Sequence, residues 1–377
     1  MGRGNGIMKA KQIIKGIAGL IFTFVPGIVF LLIPVFLANR PEMAESYSRY
    51  IFPWISKPLI FVSSLVPVSL TEIIIVFAAL SSVFWLILLI YEIVRSDHRG
   101  KLLYKMIIFI GITFSVISLS FILLHGINYT RVPLEETLSL DSSQRSPEEL
   151  AEVTAWLAQM VTQTRSGVDE DENGCMILSN GLTQALSDGN KAMDAAAVTF
   201  PVLAGTDVRA KPVVLSHYWS YTGITGMYFP FFGEANVNAD VPESQLPMII
   251  CHEISHTRGI AREQDANLAA FLACISSDRK DFQYCAYQFA YLYCAWDLSE
   301  ADAQAYSQIA ATIPDGARRD WTQNADYWKQ FEGPVQETST QINDSYLQAN
   351  QQEEGVKSYA KVTDLIVEYY FAYVKGN

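Results

Sequence analysis

Three long apolar runs lie in the first third of the chain. They extend over residues 13–38, 73–94 and 106–124. Each run is close to the roughly 20 residues that a helix needs to cross the hydrocarbon core of a bilayer. Almost no charged side chains interrupt them, which favours a simple anchor over a transport path. The pattern therefore predicts a transmembrane anchor region over residues 1–127 with about three spans.

Basic residues between the apolar runs predict how this region is oriented. Lys and Arg in short loops favour the cytoplasmic side of a membrane. One cluster precedes or begins the first run and consists of Arg3, Lys9, Lys11 and Lys15. The other lies between the second and third runs and consists of Arg95, Arg99, Lys101 and Lys105. Three spans then place everything after His125 outside the cytoplasm. A shorter apolar run over 51–67, interrupted by three prolines, predicts an interfacial or re-entrant segment.

The second part of the chain, residues 128–377, has apolar positions spaced mainly for helices. A linker is expected over 128–140. Helices are predicted over residues 146–164, 183–197, 244–259, 262–276, 281–297, 299–311, 333–351 and 356–374. Two strands are predicted, over 212–218 and 227–232, where aromatic and β-branched residues alternate with glycines. The expected fold class is α+β, mostly helical, with a small sheet in the domain that follows the spans.

Charge separates the two parts of the chain. The first 129 residues hold eleven Lys and Arg against five Asp and Glu, and the remaining residues hold 16 against 34. An acidic soluble domain is a poor candidate for nucleic-acid binding, which needs a basic surface. The five cysteines form no CxxC pair, which argues against a cysteine zinc site. We expect them to be small buried apolar residues, with room for one disulfide.

The segment from Cys251 to Gly259 contains the pattern HExxH. On a helix, His252 and His256 are one turn apart and point the same way, so their imidazoles can bind one zinc ion. Glu253 lies close enough to reach a water on that metal and to act as general base. Only five histidines occur in the chain, so two in this register are a specific signal. The alternative is a helix with two hydrogen-bonded histidines and a surface glutamate.

A third metal ligand is expected shortly after Gly259. Residue 262 is Arg, which cannot bind a metal, and Glu263 follows it. Glu263 and Asn267 are four residues apart and share a helix face. We expect Glu263 to bind zinc because the third ligand must face the histidines. Asp265 is the rival ligand. Both acids also suit the first turn of a helix, where they offset the helix dipole.

Three blocks of sequence carry a family resemblance: Asn128 to Arg131, Gly226 to Asn238, and the His252 motif continued to Asn267. Together they resemble the bacterial family catalogued as domain of unknown function 3810. The resemblance implies an N-terminal membrane region and a zincin-like metallopeptidase fold. The spacing of Glu263 and Asn267 resembles that of glutamate zincins, in which an Asp at the second position steadies the first His ligand. Here Asn267 replaces that Asp.

The strand before the motif helix adds a substrate hypothesis. In zincins the strand at this place is a sheet edge that pairs with an extended peptide. A buried aromatic strand is the equally weighted alternative. Glu234, His217 and the tyrosines 284, 287, 291 and 293 have roles that the pattern leaves open.

The function predicted from these features is a zinc metallopeptidase anchored in a bacterial cell membrane. Its catalytic domain is expected outside the cytoplasm, with Zn²⁺ on His252, His256 and Glu263 and with Glu253 as the base. Its partners would be a peptide or protein substrate and the lipid bilayer, and no nucleic acid. The alternative is a non-catalytic zinc-containing sensor or scaffold. An intramembrane protease is disfavoured because Arg258, Arg262 and Glu263 are too polar for lipid.

Overall fold

A computed structural model describes residues 2–140, 145–352 and 361–375, with side chains from Ile14 onward. The N-terminal part consists of six helices. They are α1 (Gly2–Leu31), α2 (Ile33–Leu37), α3 (Pro41–Tyr50), α4 (Phe52–Ser64), α5 (Leu70–Arg95) and α6 (Arg99–Leu124). The segment predicted to be interfacial or re-entrant is α4.

Among the residues that the structure describes, three segments are long and apolar enough to cross a membrane: Ile14–Leu37, which runs through α1 and α2, then α5 and α6. This confirms the three apolar helices and lengthens the second and third to 26 residues each. α1 and α6 pack closely because small residues face each other. A Cβ added at Gly111 would lie 2.6 Å from Thr23 Oγ1. By contrast, no residue in the most apolar stretch of α5 is buried by the rest of the protein.

The second part of the chain is also mostly helical, as predicted. Its helices are α7 (Leu134–Thr137), α8 (Pro147–Arg165), α9 (Gly181–Thr199), α10 (Ser216–Ser220), α11 (Leu246–Thr257), α12 (Glu263–Ser276), α13 (Lys280–Ala301), α14 (Ala303–Ala310), α15 (Asp315–Lys329), α16 (Pro334–Ala349) and α17 (Val362–Tyr369). Its strands are β1 (Asp169–Glu170), β2 (Met176–Ile177), β3 (Lys211–Pro212), β4 (Gly226–Phe229) and β5 (Glu234–Val237). A π-helical turn, Tyr370–Val374, continues α17.

Several predicted elements differ from those observed. The strand predicted over 212–218 is wrong, because β3 ends at Pro212 and α10 follows. β5 escaped prediction because Glu234 and Asn236 give it an unusual polar pattern for a central strand. α15 also escaped prediction, since charged and polar residues cover most of its surface. The predicted helix over 356–374 falls partly on residues 353–360, which lie outside the described part of the chain.

The three-stranded sheet has the order β3-β5-β4, with β4 at one edge. β5 is parallel to β3 and antiparallel to β4, with Tyr228 opposite Ala235. Asn238 N donates to Thr225 O at 2.9 Å. Since hydrogen-bonded and non-bonded pairs alternate in an antiparallel ladder, the backbone groups of Gly226 and Tyr228 point away from β5. They form the outer edge of the sheet.

The predicted linker over 128–140 is wrong for its first residues. A 3₁₀-helix spans Gly126–Thr130, and all five of its residues are buried. Ser48 Oγ in α3 donates to Asn128 Oδ1 at 2.5 Å. Arg131 forms an ion pair with Glu45 of α3 and donates to Gly259 O at 2.7 Å. The chain therefore enters its second part through a packed junction that reaches the motif segment.

Candidate metal centre

Helix α11 carries the HExxH motif within the core. Pro247 stands in its first turn, and Ile250, Cys251 and Ile254 are fully buried. Proline is favoured there because it has no N–H to leave unpaired. The helix ends where Gly259 adopts a φ of +79°, a left-handed conformation that strains other residues. This turn brings α12 back against α11, and Glu263 is the first residue of α12.

The structure brings His252, His256 and Glu263 together. His252 Nε2 lies 3.1 Å from Glu263 Oε2 and 3.1 Å from His256 Nε2. His256 Nε2 lies 3.8 Å from Glu263 Oε2. Among the residues that the structure describes, these three form the group whose ligand atoms are placed to hold a metal ion. Donors bound to zinc at about 2.0–2.1 Å in a tetrahedron lie about 3.3 Å apart. The observed spacing fits that size.

Each histidine is oriented through its other ring nitrogen. His252 Nδ1 lies 2.9 Å from Asn267 Oδ1, and His256 Nδ1 lies 2.7 Å from Ile260 O. Both partners are acceptors, so each Nδ1 carries a proton and Nε2 is the nitrogen that each ring would offer, deprotonated, to a metal. Asn267 Oδ1 thus accepts a hydrogen bond from His252, which is the role that its spacing from Glu263 suggested. The pair of neutral imidazoles and one carboxylate is a donor set that suits zinc.

Asp265, the rival ligand, points elsewhere. Its Oδ2 accepts a hydrogen bond from Leu134 N at 3.3 Å and lies 3.5 Å from Arg262 Nη1. Burial raises the pKa of Asp265 to about 6, although the charge of Arg262 opposes this. The structure therefore places Glu263, and not Asp265, with the two histidines.

Glu253 lies beside the edge strand β4, next to His252. Its side chain is buried, and Oε2 has no hydrogen-bond partner. The backbone N–H of Tyr228 donates to the carboxylate. A Cβ at Gly226 would lie 2.4 Å from Glu253 Oε1, so glycine is required for this close approach. Burial raises the pKa of Glu253 to about 8, with His252 opposing the shift and Glu263 adding to it.

Burial and charge act in opposite directions on the two histidines. Burial lowers the pKa of His252, but the hydrogen bond and charge of Glu263 outweigh burial and leave it raised. For His256 burial prevails, and its pKa falls to about 4 despite the charge of Glu263. His256 is therefore held neutral, which is the state that binds a metal.

Two further polar side chains lie against His256, and sequence reasoning missed both. The ring of His125 is 5.9 Å from that of His256, and the ring of Tyr228 is 6.1 Å from it. His125 Nδ1 and the Tyr228 hydroxyl are buried without a hydrogen-bond partner. Such atoms are rare in folded proteins and often mark functional positions. His125 was undetectable because it follows a span and lies 131 positions before His256.

The other residues left open by the sequence lie away from the metal centre or have structural partners. His217 is exposed and lies 3.0 Å from Asp240 Oδ2. Tyr284 is buried and donates to Asp320 at 2.5 Å. Lys211 and Glu234 form a buried ion pair at the start of α5. All five cysteines are buried and free, so none forms the disulfide that the sequence allowed.

Comparison with known proteins identifies the family. A family model described as "Protein of unknown function (DUF3810)" matches residues 47–367. The chain belongs to this family. The match confirms the resemblance seen in the three sequence blocks. No curated protein and no solved structure matches the chain.

The DUF3810 match begins in α3 and ends in α17. It therefore includes α5, α6, the sheet and the complete candidate metal centre, whereas the first candidate span precedes it. The zincin-like peptidase fold that the resemblance implies remains a prediction.

Proposed function

We propose that this DUF3810 protein is a membrane-anchored zinc metallopeptidase. One observation carries the proposal: three ligand atoms of zinc-binding type converge beside a buried glutamate whose Oε2 has no partner. A structural zinc site usually has four protein ligands, whereas a catalytic one has three and an open position. The group of three described here corresponds to the catalytic arrangement.

His252, His256 and Glu263 would hold the metal, with Asn267 and the Ile260 carbonyl fixing the two imidazoles. When bound, zinc lowers the pKa of a coordinated water to about 7 and polarises a carbonyl oxygen. Glu253 takes a proton from the attacking water on its free Oε2 and passes it to the leaving amine. Burial by the protein alone raises the pKa of Glu253, and the positive charge of a bound zinc ion would oppose that shift and favour the carboxylate that acts as base.

The hydroxyl of Tyr228 is the donor that we assign to the oxyanion formed at the substrate carbonyl. It is buried, has no partner and lies beside His256. A donor aimed at developing charge in a water-poor site typically contributes about 10²–10³-fold to rate. His125 adds a second buried nitrogen on the same side of His256.

A peptide is the substrate class that best suits the edge strand. Gly226 and Tyr228 direct their backbone groups outward along β4, and of these the Tyr228 N–H already donates to Glu253. An extended peptide can add to such an edge by main-chain hydrogen bonds. Glu253 would then lie along the bound backbone, where a scissile bond would be presented.

The decisive experiment substitutes Glu253 in the full chain purified in detergent. Glu253→Gln keeps the side-chain size but removes the base, so zinc content and thermal stability should be retained. Hydrolysis of a peptide library should fall by about 10²–10⁴-fold. His252→Ala is the matched control and should lose both zinc and activity. Full function in a zinc-loaded Glu253→Gln protein would refute the peptidase and favour the sensor.

We further propose that the soluble half lies outside the cytoplasm of a bacterial cell. The basic clusters before the first span and between α5 and α6 support this orientation. A reporter fused after Asn377 should be active only in an extracytoplasmic assay. Reporter activity in the cytoplasm would show that the orientation is the opposite of the one proposed.

A further inference from the structure

The candidate metal centre lies directly at the end of a candidate span. α6 ends at Leu124, and His125 is the next residue. The His125 ring is in edge contact with that of His256, at 5.9 Å between centroids, and His125 Nε2 lies 3.2 Å from Tyr129 Oη. Tyr47 of α3 donates to Leu123 O at 2.6 Å. A metal ligand is therefore one side-chain contact away from the last residue of the span.

A second span begins one strand away from Glu253. α5 starts at Leu70, and Ser69 Oγ donates to Asn236 Oδ1 of β5 at 2.6 Å. Thr71 N donates to Glu234 Oε2 at 2.9 Å. β5 pairs with β4, whose Gly226 contacts Glu253. The ends of two spans thus approach the site from different sides.

Exposed apolar side chains lie on segments that contact the start of α5. We call Trp54, Phe61, Leu65, Val214 and Tyr218 the rim. Trp54 is 83% exposed and Val214 is 79% exposed. Trp54 and Phe61 belong to α4 and Leu65 follows its last residue. The Ser63 carbonyl near the end of α4 accepts a hydrogen bond from Lys211 beside the start of α5. Val214 N donates to Glu72 in the first turn of α5.

Continuity with the spans identifies what covers the rim. Trp and Tyr are enriched at the level of lipid headgroups, where an apolar ring and a polar edge are both solvated well. The rim joins the spans at the helix ends that also adjoin the metal centre. A bilayer that surrounds α5 and α6 would therefore extend up to the rim.

We infer that the site cleaves peptide bonds held close to the bilayer surface, in juxtamembrane segments of membrane-anchored polypeptides. This inference rests on the proposed peptidase function and specifies its substrate. An extended chain covers about 3.3–3.6 Å per residue. With the site at the end of α6, a scissile bond about five residues from its own membrane anchor lies roughly 17 Å away along the chain and can reach Glu253.

The test compares two anchored substrates in nanodiscs that contain the full chain. Both carry the same randomised peptide segment and the same hydrophobic anchor helix. One has a spacer of about five residues, and the other has a rigid proline-rich spacer of about 20 residues, which extends about 60 Å. Because both are anchored, their concentration at the membrane is equal. We expect cleavage at least about tenfold faster with the short spacer. Equal rates, or faster cleavage with the long spacer, would overturn the inference.

A binding measurement separates this inference from the catalytic proposal. Each substrate also carries a photo-crosslinking group and is mixed with the Glu253→Gln protein. We expect the short-spacer substrate to crosslink preferentially, and equal crosslinking or none would overturn the inference. A third, anchor-free peptide reports hydrolysis itself. If all three substrates are cleaved at one rate, the peptidase proposal stands and the inference of membrane selectivity is refuted. If the short-spacer substrate crosslinks preferentially but the unmodified protein cleaves nothing, binding close to the bilayer surface stands and the peptidase proposal is refuted.

The rim is tested with two exposed tryptophans. Trp54→Glu puts a charge where we place the bilayer surface and should reduce the short-to-long preference by roughly threefold or more. Trp296→Glu is the matched control, since Trp296 is 68% exposed on α13 of the soluble half. It should keep the preference. An unchanged preference in Trp54→Glu would overturn the assignment of the rim.

Discussion

Two buried polar clusters link the apolar N-terminal helices to the second part of the chain, and they differ in how completely their atoms are paired. Lys211 Nζ lies 2.5 Å from Glu234 Oε1 and also donates to Ser63 O and Val68 O. Glu234 accepts further bonds from Leu70 N and from the backbone and hydroxyl of Thr71. In the metal centre, by contrast, Glu253 Oε2, the Tyr228 hydroxyl and His125 Nδ1 have no partner.

The difference separates a structural cluster from a functional one. Unpaired buried polar atoms are costly, so a fold retains them where they serve another purpose. The Lys211–Glu234 pair uses its hydrogen-bonding capacity to join the end of α4 to the start of α5. The candidate metal centre leaves buried polar atoms unpaired, as the proposed site for an ion, a water and a substrate would require. Each prediction below tests one side of this contrast.

The largest expected effect concerns the third metal ligand. Glu263→Gln removes the anionic oxygen that lies 3.1 Å from His252 Nε2. The full chain should then lose stoichiometric zinc, because a neutral amide is a poor zinc ligand. Asp265→Asn is the matched control, two residues away and equally buried, and should keep one zinc per chain. Metal analysis after dialysis gives the result, and the opposite ranking would make Asp265 the ligand.

The next effect concerns stability. Lys211→Met leaves the Glu234 carboxylate buried without its cation, so unfolding should become easier by about 3–5 kcal/mol. The double variant Lys211→Met, Glu234→Gln removes both charges and should recover much of that loss. Denaturant unfolding in detergent measures both, and zinc per folded molecule should be unchanged. A single variant that keeps its stability but loses zinc would contradict the structural assignment.

The smallest effect concerns the acceptor behind the first ligand. Asn267→Ala removes the oxygen that holds His252 Nδ1, so zinc affinity should fall about 10–100-fold. Asn267→Asp keeps an acceptor there and replaces an amide nitrogen that has no partner. It should hold zinc at least as tightly as the natural protein. Competition with a fluorescent chelator measures both affinities, and equal affinity in all three proteins would remove this role.

Local patterns accounted for much of the architecture. The three apolar segments follow from hydropathy alone, and the helical spacing of His252 and His256 requires no partner elsewhere in the chain. The sequence also predicted a third ligand shortly after Gly259, although it left Asp265 as a rival to Glu263. These features depend on residues that are contiguous or close together in the sequence.

Long-range contacts accounted for the remainder. β5 contains Glu234 and Asn236 in a fully buried strand, which its own pattern argues against. They are tolerated because the start of α5, more than 160 positions earlier, supplies their partners. The burial of residues 126–131 likewise depends on α3 and on Gly259.

The sequence by itself determined the candidate spans and the two histidines with their glutamate neighbour, because hydropathy and helix periodicity are properties of contiguous residues. Only the tertiary structure decided that Glu263 rather than Asp265 faces the histidines. It also placed Tyr228 and His125 against His256, and two span ends beside the site. Those outcomes depend on how helices and strands pack across distances that no local pattern records, and on which buried polar atoms find partners there.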